Sequence, residues 1–104
     1  MSVLLEFSMF PTDKGESVSD QVSLVIAEIR GSGLPYRLTP MGTIVETDQL
    51  GQALELVERC YQVLDKAGCQ RVYASLKLDI RKGRSNGMQT KLDSIRKKIG
   101  EITS

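Results

Sequence analysis

Glu46 and Asp79 are carboxylates on or beside segments that read as strands, and Met9, Phe10, Tyr36 and Met41 offer apolar or flat surfaces. Ser17 and Ser19 stand where a helix begins, and the first N–H groups of a helix have no partner within it. Carboxylates, hydroxyls and flat side chains of this kind suit the holding of a small molecule better than they suit catalysis. Each also has a plain structural role. Glu46 reads equally as a solvated strand end and Ser17 as a simple cap. Asp79 and Arg81 fit a cross-strand or intersubunit ion pair equally well.

Catalytic equipment is sparse. The chain has no histidine, which removes the usual general base near neutral pH and every Ser-His-Asp or Cys-His arrangement. Two cysteines without histidine do not make a structural zinc site. Cys60 falls on an apolar helix stripe, where burial favours the unreactive neutral thiol. There is no P-loop, and Gly31-Ser-Gly33 follows a helix instead of opening one, so it is no dinucleotide fingerprint. The expectation is a protein that is not an enzyme, with no catalytic residues, no metal and no bound cofactor beyond its ligand.

The elements that must position these residues are legible from periodicity. At 104 residues the chain is the size of one domain, spanning 1–104, and its 40% hydrophobic and 26% charged residues are those of a soluble globular protein. A net charge of +1 gives no strong field for nucleic acid or an anionic membrane. The basic residues after position 81 read as the solvated side of a helix. Cys60 and Cys69 read as a buried thiol and a loop thiol, not a disulfide, which fits a reducing cytoplasm. The start, MSVLLE, lacks the features of a signal peptide. A cytoplasmic location is expected.

Residues 3–10 form a strand with Val3, Leu5, Phe7 and Met9 on one face and Leu4, Glu6, Ser8 and Phe10 on the other. A helix follows, capped by Ser17 in a Ser17-Val-Ser-Asp20 box or by Ser19, with a stripe of Val18, Val22, Val25, Ile26 and Ile29. Tyr36–Thr39 and Thr43–Glu46 read as a hairpin around Pro40-Met41-Gly42. Asp48 is the expected cap of a second helix, whose stripe is Leu50, Ala53, Leu54, Val57, Cys60, Tyr61 and Leu64. The strand from Arg71 to Arg81 alternates Val72, Ala74, Leu76, Leu78 and Ile80 with polar residues. A last helix carries Met88, Leu92, Ile95, Ile99 and Ile102.

This order, β-α-β-β-α-β plus a helix, predicts an α+β ferredoxin-like sandwich: a four-stranded antiparallel sheet with an additional C-terminal helix. Right-handed crossovers put both main helices on one face. The other face is left for solvent or for self-association, and the last helix must also pack somewhere. An alternative to ligand binding is therefore a self-assembling structural or regulatory interaction module.

Three segments in order, MFPTDKGESVSDQV, YRLTPMGTIVE and RVYASLKLDIRKGR, resemble the small thiamine-binding (YkoF-like) family, long catalogued as an uncharacterised protein family. The resemblance covers essentially the whole chain. Where that family commonly has Glu-Gly after the hairpin, this chain has Glu46-Thr47. The resemblance implies a ferredoxin-like fold, homodimers or homotetramers, and a non-catalytic carrier, buffer or sensor for thiamine or its hydroxymethylpyrimidine moiety. It places the ligand at Glu46 as carboxylate partner and at Ser17, Ser19 and Thr43 as hydrogen-bonding groups. Phe10 and Met41 would contact the rings, with Asp79 and Arg81 less firmly attached to the site.

Overall fold

Strict alternation makes the first strand the spine of the molecule. The structure, a computed structural model, describes residues 1–103. Its elements are β1 (Ser2–Pro11), α1 (Ser19–Gly31), β2 (Tyr36–Thr39), β3 (Gly42–Thr47), α2 (Leu50–Lys66), β4 (Val72–Arg81) and α3 (Gly87–Ile99). All strand pairs are antiparallel, in the order β2-β3-β1-β4. This is the expected α+β ferredoxin-like arrangement. Because β1 is central, Val3, Leu5, Phe7 and Met9 are buried beneath α1 and α2 with Val25, Ile29, Val45, Leu56, Cys60 and Leu64. Burying each large apolar side chain stabilises the fold by about 1.5–3 kcal/mol.

Both helix starts differ from the expectation. α1 opens at Ser19 with Val18 in the cap position and no side-chain cap, so Ser17 and Asp20 form no capping box. α2 is capped by Gln49 in place of Asp48: Gln49 and Gln52 exchange side-chain-to-backbone hydrogen bonds reciprocally. Asp48 instead gives its backbone N–H to Gln52 Oε1 at 3.2 Å.

The core is also narrower than the apolar stripes suggest. Leu56 of α2 is buried, whereas Leu54 and Tyr61 are 48% and 46% exposed. Strand β4 forms the sheet edge, and the helices sit over β1 and β3, so Leu76, Leu78 and Ile80 remain 42%, 38% and 47% exposed.

α3 lies against the opposite face. Its start is packed, with Gly87 buried and Met88 and Leu92 half-buried, but Ile95 and Ile99 are exposed. The molecule is elongated, with extents of 46 × 28 × 20 Å and a radius of gyration of 15.0 Å. A compact chain of this length has a radius of about 13 Å.

Candidate functional site

The hairpin ends early, and that opens a notch in the sheet. β3 follows β1 from Val3↔Thr47 only as far as Phe7↔Thr43. On the other side, β4 follows β1 to Pro11↔Val72. Residues 8–10 therefore have no strand partner on the β3 side, where alternate backbone N–H and C=O groups face outward. The notch holds about 340 Å³ and is lined by residues 7–10 of β1, Val22 and Ile26 of α1, and residues 38–43 of the hairpin.

The shape of the hairpin comes from its own residues. The Thr39 hydroxyl accepts hydrogen bonds from the N–H groups of Met41 (3.3 Å) and Gly42 (3.1 Å) and donates to Gly42 O (2.8 Å). Pro40 and Met41 form the two-residue turn between the paired Thr39 and Gly42. Gly42 sits against β1 so closely that a Cβ there would meet the Phe7 carbonyl oxygen at 3.2 Å. Met41 is left 90% exposed at the lip.

The structure divides the residues expected to form one site. Phe10, Met41 and Thr43 line the notch together. Ser19 lines an adjoining hollow that shares Val22, Ile26 and Leu38 with it. Ser17 is exposed in the loop before α1 and borders none of these hollows. Phe10 also stacks obliquely on Tyr73, with ring centroids 5.7 Å apart.

Glu46 and Asp79 lie elsewhere. They sit on either side of Leu4, at the far end of β1. Asp79 is six steps along β4 from Tyr73, the partner of Phe10, or about 20 Å. Thr43 and Glu46, three residues apart, point to opposite faces. Glu46 Oε2 accepts hydrogen bonds from Ser2 Oγ and from Gly87 N–H, both at 2.7 Å. Burial opposes its ionisation, but these bonds, the Met88 N–H and the Arg84 charge outweigh that and hold its pKa below the usual value.

Asp79 is held by Lys91 (2.5 Å) and by Arg84, whose guanidinium is 3.1 Å away and itself buried. Those two cations, Lys91 first, lower its pKa. Arg84 also donates to the carbonyls of Ser2 and Asp79 at 3.2 Å. The predicted ligand carboxylates are thus the clasp that fastens α3 to the sheet. Arg81 lies two steps beyond that level, pairing across with Ser2.

Among the described residues that line the notch, none is charged. Sequence reasoning missed Ser8 and Thr39, and missed Val22 and Ile26 as wall residues. The one available signal was the shortness of the hairpin strands YRLT and TIVE against VLLEFSMF, which leaves part of β1 without a partner wherever the register falls. Cys60 is buried, and burial first, then the nearby Glu28 charge, push its thiol up to about 12. It offers no nucleophile.

Fold and site together define a small ferredoxin-like α+β domain with an uncharged notch beside its hairpin. The chain belongs to the family described as thiamine-binding protein, whose model matches residues 5–96. It is 35% identical over 95 residues to a UPF0045 protein of Mycobacterium bovis, covering 91% of this chain and 92% of that one. A UPF0045 protein of Methanocaldococcus jannaschii is 36% identical over 101 residues, covering 96% and 94% of the two chains. Among solved structures, a domain of unknown function DUF77 from Bacillus cereus superposes with a TM-score of 0.81 at 28% identity, covering 94% and 93%.

Proposed function

We propose that this chain is a single-domain binding protein for thiamine or its hydroxymethylpyrimidine moiety, acting as a carrier, buffer or sensor without catalysis. The observation that carries the reading is the notch where β1 outruns β3, within a member of the thiamine-binding family. An aminopyrimidine presents an amino donor beside a ring-nitrogen acceptor. The unpaired edge of β1 offers backbone groups of both kinds, and Ser8 and Thr43 supply hydroxyls. Phe10 and Met41 give the ring apolar surface. At about 340 Å³ the notch is at the small end of ligand pockets, which run from ~300 to ~1,000 Å³.

Self-association belongs to the same reading. β4 is a ten-residue edge strand with an unbroken register against β1 and no proline or bulge to blunt it. Its length of about 33 Å and the 20 Å short dimension of the molecule give a side wall of roughly 700 Å². A stable dimer buries ~800 Å² per partner. A two-fold pairing of β4 with its copy would bring Leu76, Leu78 and Ile80 of both chains together. A homodimer, or a homotetramer built from it, is the assembly we propose. Among the described residues no helix is long and apolar enough to cross a membrane.

Calorimetric titration with thiamine and with hydroxymethylpyrimidine tests the reading. Saturable binding of either is expected, weakened roughly tenfold for both by Phe10→Ala as ring contact is lost. Absence of heat at millimolar ligand with the wild-type chain overturns it.

A further inference from the structure

With Glu46 and Asp79 committed to α3, the notch lacks the carboxylate that a positively charged ligand would favour. A second adjoining hollow supplies one. On the sheet face that β1 presents through its even-numbered residues, about 220 Å³ opens between Glu6, Ser8, Met41, Ser75 and Lys77. It shares Phe7, Ser8 and Met41 with the notch. A two-ring ligand with one ring in the notch would extend its other ring past Ser8 and Met41 toward Glu6.

Resting on the thiamine reading above, we infer that Glu6 is the charge-recognising residue of this protein. Its carboxylate faces the permanently positive thiazolium ring and discriminates whole thiamine from its neutral pyrimidine half. The register supports this placement: Glu6 pairs across the sheet with Lys77 of β4 and Ile44 of β3, one step from the last β1–β3 pair. Glu6 is also only loosely engaged. Lys77 Nζ stands 3.6 Å from its Oε1, and the two side chains are 53% (Glu6) and 82% (Lys77) exposed. A firm charge-assisted hydrogen bond would measure about 2.7–2.9 Å. An exposed pair of this kind contributes at most about 1 kcal/mol, so a cation held by the notch competes with Lys77 for the carboxylate. Lys77 is then the counterweight: while it neutralises Glu6, it weakens thiamine binding and leaves the neutral pyrimidine untouched.

The test is calorimetric titration of the wild-type chain, Glu6→Gln and Lys77→Gln with thiamine and with hydroxymethylpyrimidine. Both side chains are exposed, so the variants keep the wild-type fold, which circular dichroism checks. Glu6→Gln should weaken thiamine roughly threefold to fivefold and leave hydroxymethylpyrimidine within about twofold. Lys77→Gln should tighten thiamine alone, and the wild-type preference for thiamine should shrink as salt is raised. If the wild type binds both ligands and Glu6→Gln changes neither, or changes both equally, the assignment of Glu6 is overturned while the notch stands. If the wild type binds neither ligand, the notch reading fails and the assignment falls with it.

Discussion

The carboxylate of Glu46, near the end of β3, accepts the backbone N–H of Gly87, the first residue of α3, at 2.7 Å. The two residues are 41 positions apart in the chain. Asn86, in the cap position, is left-handed with φ of 50° and makes no side-chain cap. The cap of α3 is therefore supplied from the sheet, and it carries the negative charge that a helix N-terminus favours.

Glu46→Ala should accordingly loosen α3 and not the ligand site. Loss of a charged acceptor for Ser2, Gly87 and Met88 should cost about 2 kcal/mol. A urea titration reads that loss, and hydrogen exchange at the Gly87 and Met88 amides should accelerate. Affinity for thiamine should stay within about twofold; a large fall would return Glu46 to the ligand site.

The same clasp makes the protein acid-sensitive. Glu46 and Asp79 both have depressed pKa values in the folded chain, so folding favours their ionised forms. Their contribution is complete above about pH 5 and is lost as pH falls below about 4 through the folded-state values. Exchange at the start of α3 should rise in that window. In Glu46→Ala the remaining acid dependence should be smaller, and an unchanged profile would assign the sensitivity to other carboxylates.

Two glycines in helices should respond oppositely to alanine. A Cβ at Gly87 would meet Arg84 Nε at 2.5 Å, Cζ at 2.9 Å and Ser2 Oγ at 2.9 Å. Arg84 is buried and tied to Asp79, so it cannot swing aside, and Gly87→Ala should destabilise by about 1–3 kcal/mol. Nothing lies within 4 Å of a Cβ at Gly51 in α2. Gly51→Ala should stabilise by about 0.5–1 kcal/mol through helix propensity. Thermal denaturation of the two variants checks both signs.

Leu78, 38% exposed in the middle of the β4 edge, is the place to test assembly. The wild-type chain should sediment as a dimer or tetramer at micromolar concentration. Leu78→Glu should sediment as a monomer, because a carboxylate from each chain would then replace an apolar contact at the seam. A monomeric wild type would remove the β4 interface.

Element types and order were legible because burial writes a period onto the sequence. Val3, Leu5, Phe7 and Met9 sit two apart and face the core, and Val25 and Ile29 sit one helical turn apart and do the same. Sequence alone also determined what chemistry is missing, since a chain without histidine carries no such base wherever it folds. Apolar periodicity does not say which strand lies at the sheet edge. Leu76, Leu78 and Ile80 alternate as cleanly as the β1 residues, yet they stay half open because α2 covers their neighbour.

The site depended still more on the tertiary structure. Thr43 and Glu46 are close in sequence, but a strand turns successive side chains to opposite faces and separates residues three apart by about 10 Å. Register then decided the rest. It placed Glu46 and Asp79 beside α3 and left the residues after Phe7 without a partner on the β3 side, opening the notch between Phe10, Met41 and Thr43. Residue types and their spacing were written in the chain. Which of them meet was decided by how far each strand runs against its neighbour.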